Sequence, residues 1–340
     1  MNFKELERTW IIAEIGVNHE GDEECAADMI RLAADTSVDA VKFATFQIQN
    51  YISTNQPERR ERISHFELSR DTFRRLAEVA KSVGLTFFST PLHPDDADFL
   101  DEIAPLYKIA SGDLNNTTYI KYVLSKGKPT IISTGYGGAD DIARMVDAVL
   151  EVRPSARDDG SVMFMHCVGA YPTDAKDLNL RNMMWLKDTF GFPVGLSDHT
   201  IGTKACELAV AMGAVAVEKH FTYRTENQEW HDHAVSADPK NMTKLVEKVR
   251  TAEVYLGHYA RGADHNAAES RLIDMRRSPG ALVDIPANTP IKREWLTWLR
   301  PAWGLAADDL PSLVGKTLNQ DVAAGSLIMP DVIEGNTKTS

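Results

Sequence analysis

The chain has few cysteines, no excess of basic residues and no long apolar run. Cys25, Cys167 and Cys206 are far apart, so they fit neither a disulfide framework nor a close-spaced zinc cluster, and they indicate a reducing compartment. The formal net charge of -12 argues against nonspecific binding to nucleic acid or to anionic membranes. No signal-peptide core or membrane-spanning run is present. The sequence therefore predicts a cytoplasmic protein in which any anionic substrate meets a locally positive site.

Short apolar runs alternate with amphipathic stretches along most of the 340 residues, a pattern typical of βα units and a parallel sheet. Eight runs predict strands at residues 10–15, 40–43, 86–89, 107–109, 130–133, 162–167, 194–196 and 214–218. Helix-like segments between them include residues 71–82, 139–152, 203–212 and 241–256. Asp71 and Thr203 are predicted N-caps, and Gly84 and Gly213 stand where C-caps are expected.

The eight alternations predict an α/β fold with a closed (β/α)8 (TIM) barrel. They run without long interruption, and no GxGxxG follows the first strand, which disfavours an open dinucleotide-binding sheet. A barrel commonly takes about 250 residues, which leaves room for a small appendage. After about residue 276, short β-like runs and turn residues replace helical periodicity. We therefore expect a catalytic barrel at residues 1–256, a polar linker at 257–277 and a small β-rich domain at 278–340.

Polar side chains close nearly every predicted strand. In (β/α)8 enzymes the active site lies at the C-terminal ends of the strands, so these residues are expected to converge on one rim. They are Glu14, Lys42, Ser89, Thr90, Lys108, Ser111, Asp113, Ser133, Thr134, His166, Ser197, Asp198, His199, Lys219 and His220. Each alone has an ordinary structural explanation, such as a helix cap or a paired buried charge. Their convergence indicates an enzyme active site.

This rim has chemistry suited to a small anion and a cation. Lysines and hydroxyl groups that can hold a phosphate and a carboxylate, called the anion set below, are Lys42, Thr90, Lys108, Ser111, Ser133 and Ser197. His199 and His220, on adjacent strands, could ligate one divalent cation and leave coordination positions open. Glu14, Asp113 and Asp232 add carboxylates that could move protons or orient a reacting hydroxyl.

The strings that carry these residues form an ordered set. They are AEIGVNHEG at 13–21, VKFATF at 41–46, FFSTP at 87–91, YKIASGD at 107–113, IISTG at 131–135, HCVGAYPT at 166–173, GLSDHT at 195–200, VEKHFT at 217–222 and HDHAVSADP at 231–239. In this order they resemble the sialic acid (N-acetylneuraminate) synthase family, which includes legionaminic and pseudaminic acid synthases. LRP at 299–301 and LVGKTLNQDVAAG at 313–325 are similar to the family's C-terminal antifreeze-like (SAF) domain. The resemblance covers essentially the whole chain.

The resemblance implies a metal-dependent condensation. C3 of phosphoenolpyruvate attacks the aldehyde of an open-chain N-acyl amino sugar of the N-acetylmannosamine type, and C–O cleavage then releases phosphate and a nine-carbon 2-keto-3-deoxy acid. By the family's pattern the anion set holds phosphoenolpyruvate. His199 and His220 hold a divalent ion, with Mn2+ expected ahead of Mg2+ or Co2+, which polarises the aldehyde.

The remaining family positions concern the sugar. Glu14, Asp113 and Asp232 stand at carboxylate positions tied to proton transfer, water activation and sugar contacts, and Tyr171 falls in the substrate-binding string HCVGAYPT. The family forms a domain-swapped homodimer in which the small domain of one subunit covers the barrel of the other. Arg300, in the LRP string, is the position from which the family reaches the sugar's N-acyl group across that interface.

Several positions depart from the family's pattern. Ala44 replaces a usual Gln, Gly169 replaces a common Ser or Asn, and Trp303 stands where a Gly-rich loop is usual. The metal and phosphate positions are unaffected by these changes. The acceptor therefore stays open between N-acetylmannosamine, its 6-phosphate and a diamino-dideoxy hexose.

Three alternatives remain at the level of sequence. One is another phosphoenolpyruvate-condensing barrel with an eight- or seven-carbon product, which the appended domain and LRP string disfavour. A second is a Schiff-base aldolase that uses Lys42, Lys108 or Lys219. The third is a nonenzymatic ice-binding or sugar-binding protein, which a rim populated at nearly every strand disfavours.

Overall fold

The computed structural model describes residues 1–226, 228, 230–257 and 269–335. The chain divides into two compact units, Met1–Gly257 and His258–Ser340. Residues 258–268 of the expected linker and residues 336–340 of the expected small domain lie outside the described residues. No described helix combines the length and the apolar composition that a bilayer crossing requires.

The first unit is a closed parallel barrel of eight strands in sequence order. The strands are β1 (Trp10–Gly16), β2 (Ala40–Thr45), β3 (Thr86–Pro91), β4 (Tyr107–Ile109), β5 (Thr130–Ser133), β6 (Val162–His166), β7 (Val194–Asp198) and β8 (Ala216–His220). Nearly all of their residues are buried, because barrel strands are covered by side chains inside and by helices outside. The predicted fold class is confirmed.

Helices cover the outside of the barrel and fill the connections at its ends. They are α1 (Glu23–Asp35), α2 (Ile48–Tyr51), α3 (Pro57–Ser64), α4 (Arg70–Ser82), α5 (Pro94–Ile103), α6 (Thr117–Ser125), α7 (Ala139–Val152), α8 (Ala156–Asp159), α9 (Arg181–Phe190), α10 (Lys204–Ala211), α11 (Asp232–Val235) and α12 (Pro239–Leu256). The predicted N-cap Asp71 is wrong, because the Ser69 side chain accepts from the Thr72 amide and caps α4. Thr203 does occupy the N-cap position of α10, without a side-chain hydrogen bond.

The second unit has its own apolar core. It contains α13 (Glu269–Met275) and an antiparallel pair, β9 (Ser278–Ala281) and β10 (Leu296–Leu299). Isolated bridges join Ile285 to Val322 and Leu318 to Ile333. Their side chains pack with Leu310 in a separate hydrophobic cluster. The described part of the unit is therefore the small β-rich fold that the sequence predicts.

Candidate functional site

A cavity of about 460 Å³ opens where the strands of the barrel end, within the range of ligand sites. It is lined by the whole anion set and by the other predicted residues Glu14, Tyr171, His199, His220 and Asp232. Eleven residues that are far apart in the sequence therefore share one cavity. The burial of most of their side chains shows that the barrel, rather than solvent, fixes their positions.

Strand geometry decides which polar residues enter this cavity. Successive side chains on a strand point to opposite faces, so Glu218 and His220 of β8 both line the cavity. Lys219 lies between them and faces away, where its ammonium pairs with the Asp198 carboxylate at 2.9 Å. Side chains alternate in the same way at the end of β7. Ser197 and His199 line the cavity, and Asp198 between them does not.

Two lysines and two glutamates form a buried cluster at the base of the cavity. Lys42 Nζ lies 2.7 Å from Glu14 Oε2 and 3.7 Å from Glu218 Oε1. Lys108 Nζ donates to both oxygens of Glu218, at 2.8 and 2.7 Å. Adjacent strands enforce this arrangement, because Glu14 on β1 is in register with Lys42 on β2. The four formal charges cancel within a few ångströms.

The two glutamates have opposite titration behaviour. Burial raises the pKa of Glu14 to about 7, against the opposing charge of Lys42. Burial would also raise the pKa of Glu218, but Lys108 and Lys42 outweigh it and hold that pKa at about 2. Glu14 can therefore take up or release a proton near neutral pH, whereas Glu218 stays ionised.

The lysines of the cluster also differ. Burial alone would lower the pKa of Lys42, but Glu14 and Glu218 raise it overall. Burial lowers the pKa of Lys108, and Glu218 offsets only part of that shift. Because Lys219 is paired outside the cavity, only two of the three lysines considered for a Schiff base face it.

Hydroxyl groups surround the lysines. Thr90 accepts from Lys42 Nζ at 3.2 Å, and Ser197 donates to Glu218 Oε1 at 3.1 Å. The buried Ser133 hydroxyl has no hydrogen-bond partner among the described residues. A buried polar group without a partner is costly, so Ser133 is poised to bind a ligand oxygen in the cavity.

The buried side chains of His199 and His220 lie beside Tyr171 on one side of the cavity, called the histidine wall below. Their ring centroids are 5.4 Å apart, and Tyr171 stacks on His199 at 4.0 Å and meets His220 edge-on at 5.7 Å. Burial lowers the pKa of His199, and burial also lowers that of His220 to about 3. Both imidazoles are therefore neutral at physiological pH, the form that ligates metals.

Whether the histidine wall suits a metal depends on which ring nitrogens have a free lone pair. His199 Nδ1 lies 2.7 Å from the Val168 carbonyl oxygen, so it donates and leaves Nε2 with its lone pair. His220 Nδ1 is buried without a partner among the described residues. No group of three or more His, Cys, Asp or Glu side chains in the described ranges has a metal-binding arrangement. The pair fits a cation that completes its coordination with substrate and water.

The predicted carboxylates do not all reach the cavity. Asp232 lines it from α11, which two contacts tie to the loop after β1: Asn18 Nδ2 donates to Ser236 Oγ at 3.0 Å, and His233 Nε2 lies 3.2 Å from Glu20 Oε1. Asp113, in the turn after β4, is not among the lining residues of the cavity. Burial raises the pKa of Asp113 to about 6.

The structure shows the neighbours and the exposure of the positions that depart from the family's pattern. Gly169 leaves room for Tyr136, because a Cβ there would lie 2.3 Å from that ring, and the Tyr136 hydroxyl donates to the Gly169 carbonyl. Ala44 lines the cavity. Arg300 and Trp303 belong to the second unit, where both side chains are exposed. Arg300 is not among the lining residues of the cavity.

Three charged residues of the cavity were not predicted. Glu218 lies inside β8, and Arg59 and Arg62 lie on α3, between β2 and α4. Strand alternation offers a signal for Glu218, since it shares a face with His220. No sequence signal identified the arginines, because α3 does not follow directly from the end of a strand.

Comparison with known proteins agrees with this architecture. Residues 29–261 match the NeuB family, and residues 281–334 match the SAF domain. The chain belongs to the NeuB family. The match confirms the resemblance found in the sequence motifs. The protein is therefore an enzyme, a synthase of that family.

The relatives of this NeuB family synthase are named after different sugar acid products. It is 35% identical to N,N'-diacetyllegionaminic acid synthase of Legionella pneumophila, over 96% of this chain and 94% of that protein. It is 30% identical to human N-acetylneuraminate-9-phosphate synthase, over 97% of this chain and 94% of that protein. A crystal structure of the N-acetylneuraminic acid synthetase from Leptospira borgpetersenii is 32% identical, with a TM-score of 0.72 over 78% of this chain and 90% of that one.

Proposed function

We propose that this NeuB family synthase condenses phosphoenolpyruvate with an open-chain N-acyl amino sugar of the N-acetylmannosamine type. C3 of phosphoenolpyruvate forms a bond to the aldehyde carbon, water adds at C2, and C–O cleavage releases inorganic phosphate. The product is a nine-carbon 2-keto-3-deoxy acid. The observation that carries the proposal is the placement of the complete anion set beside two neutral histidines in one cavity.

The base of the cavity supports binding of phosphoenolpyruvate. Lys42 and Lys108 supply positive charge, and the hydroxyls of the anion set supply donors. Charge-assisted hydrogen bonds of this kind suit phosphate and carboxylate oxygens. An anion can bind there because Glu14 can be protonated, which leaves the four-residue cluster with net positive charge.

Proton transfer falls to the carboxylates. The attack forms an alkoxide that needs a proton, and the water that adds at C2 must lose one. Glu14, with its pKa near 7, matches the requirement that a general acid or base titrate near the working pH. Asp232 faces the same cavity from α11 and is positioned to contact a sugar hydroxyl.

The histidine wall supports the third requirement of the reaction, which is polarisation of the aldehyde. His199 and His220 would hold a divalent ion, Mn2+ or alternatively Mg2+ or Co2+, which when bound supplies Lewis-acid polarisation of the aldehyde. Tyr171 stacks against His199 and restricts the ring's rotation. The imidazole therefore keeps one orientation toward the cavity.

Phosphate release provides the direct test. Incubation of phosphoenolpyruvate with N-acetylmannosamine, its 6-phosphate or a diamino-dideoxy hexose should release one phosphate for each nine-carbon keto acid, identified by mass. Borohydride with pyruvate should leave the protein unmodified. Trapping of Lys42 or Lys108 would instead favour the Schiff-base mechanism, and product from arabinose 5-phosphate or erythrose 4-phosphate alone would favour an eight- or seven-carbon synthase.

The second unit is proposed to complete the acceptor site from a partner subunit in a homodimer. Arg300→Ala should then raise KM for the N-acyl sugar by about 10- to 150-fold, the effect of losing a charged hydrogen bond worth about 1.5 to 3 kcal/mol. KM for phosphoenolpyruvate should stay unchanged. Lys316→Ala, which removes another exposed cation of the same unit, is the control. Equal effects on both substrates, or full activity as a monomer, would contradict the proposal.

A further inference from the structure

Two arginines on one face of α3 line the cavity at the entrance side of the buried cluster. Arg59 and Arg62 are exposed, in contrast with the buried Lys42 and Lys108. Neither arginine forms an ion pair with a described residue. Within the described ranges, Arg59 donates one hydrogen bond, to the neutral Gln56 side chain at 3.2 Å. Both guanidinium groups therefore retain most of their hydrogen-bonding capacity.

The arginine between them has a different role. Arg60 Nη1 donates to the backbone carbonyls of Ile48 and Ile52, so it fastens α3 to α2 and to the residue that follows α2. Arg60 is not a lining residue of the cavity. This separation shows that α3 is held by one arginine and presents the other two to the cavity.

A continuous series of ring contacts connects Arg62 with the histidine wall. Its guanidinium carbon lies 5.8 Å from the centroid of Trp230, whose ring is 4.3 Å from that of His231. The His231 ring is 6.1 Å from Tyr171, which stacks on His199. Arg62 is therefore connected to His199 through three intervening aromatic side chains.

The described acidic residues that line the cavity have other neighbours. Glu14 and Glu218 pair with the two lysines, and Asp232 Oδ1 lies 3.4 Å from His231 Nε2. On the Arg59 side, burial raises the pKa of Tyr51, Arg59 opposes that shift, and the charges of Asp113 and Asp232 add to it. Tyr51 is therefore near both Arg59 and the two aspartates, and Arg59 forms no ion pair with either aspartate.

We propose that Arg59 and Arg62 bind an anionic group, a phosphate or a carboxylate, carried by the acceptor sugar away from its aldehyde. The inference rests on the proposed condensation and selects one class of acceptor for it. An aldehyde at the histidines leaves the far end of an open-chain sugar to extend along the wall toward α3. Guanidinium groups bind such oxygens in a bidentate manner. An acceptor with a neutral far end would leave both arginines without an anionic partner among the described residues.

The acceptor preference of the full-length protein tests this inference. With phosphoenolpyruvate saturating, kcat/KM for N-acetylmannosamine 6-phosphate should exceed that for N-acetylmannosamine by about 10- to 100-fold, the effect of one or two charge-assisted hydrogen bonds. Arg59→Gln combined with Arg62→Gln should remove this preference and change kcat/KM for the neutral sugar by about twofold at most. The uronic acid N-acetylmannosaminuronate distinguishes a carboxylate-binding site from a phosphate-binding one.

Matched variants separate binding from structure. Arg181→Gln removes an exposed arginine of α9 that is not in the cavity and should leave the preference intact. A wild-type enzyme that uses the neutral sugar as well as both anionic sugars would overturn the inference while leaving the condensation in place. Equal loss with neutral and anionic acceptors in the double variant would also overturn it. Absence of phosphate release with every acceptor would refute the proposed function itself.

Discussion

Replacing His220 with alanine should abolish both metal binding and turnover while leaving the barrel folded. Lewis-acid stabilisation by a bound metal is worth several kcal/mol, so a loss of at least about 1,000-fold in kcat is expected. Stability should change little, because His220 Nδ1 is buried without a partner and the substitution breaks no hydrogen bond among the described residues. Excess chelator should abolish turnover of the parent enzyme, and Mn2+ should restore it.

Thermal unfolding gives a readout that does not depend on activity. A ligand present at about 100 times its Kd stabilises the folded state by about 2.7 kcal/mol, so Mn2+ should raise the Tm of the parent protein by several degrees. It should not raise that of His220→Ala.

His166 provides the matched control for this metal experiment. It is also buried at the end of a strand, but His166 Nε2 bonds to the Leu178 carbonyl oxygen at 2.7 Å, outside the described cavity. His166→Ala should therefore lower Tm and keep the Mn2+ response. Full turnover in chelator, or equal Mn2+ shifts in both variants, would contradict the metal assignment.

The contrast between His166 and His220 shows what the sequence can and cannot predict. Both histidines end apolar runs, so hydrophobic patterning places both near the rim. Only the fold reveals that one is satisfied by a backbone carbonyl in the β6–α9 connection. This hydrogen bond joins residues twelve positions apart across a loop. Such a bond leaves no periodic pattern in the sequence.

The barrel itself could be predicted because its strands are continuous apolar runs between helices. The predicted strands at 107–109 and 130–133 agree with β4 and β5, and the helix predicted at 139–152 agrees with α7. β7 and β8 each extend two residues beyond the predicted ends, to Asp198 and His220. The extension has a physical cause: these polar residues are paired or face the cavity, so strand pairing continues after the apolar pattern stops.

The alternation of side chains along those extended ends explains why Glu218 is absent from the predicted site. Asp198 and Lys219 are predicted rim residues, yet their side chains point away from the cavity and pair with each other. Glu218 points into the cavity, as expected from its position two residues before His220 on the same strand. The arginines on α3 could not be found in this way, because their position depends on how the β2–α4 connection folds over the cavity.

Replacing Lys108 with methionine should impair stability and phosphoenolpyruvate binding through separable mechanisms. Removal of one partner from a buried ion pair leaves Glu218 without its bidentate donor and should cost about 3–5 kcal/mol in the free energy of unfolding. Loss of a charged contact to the ligand should weaken binding by a further 10- to 150-fold or about 1.5–3 kcal/mol. Denaturant unfolding and calorimetric titration with phosphoenolpyruvate measure the two quantities.

A second substitution separates these mechanisms. Lys108→Met with Glu218→Gln removes the buried charge while keeping an oxygen for the Ser197 hydroxyl, so most of the lost stability should return. The affinity for phosphoenolpyruvate should stay low, because the missing ammonium is the ligand's partner. Lys219→Met breaks the equally buried pair with Asp198 outside the cavity, and it should lower stability without lowering that affinity. If the double variant instead binds phosphoenolpyruvate like the parent, Lys108 serves only to neutralise Glu218, and the phosphate must bind elsewhere on the barrel.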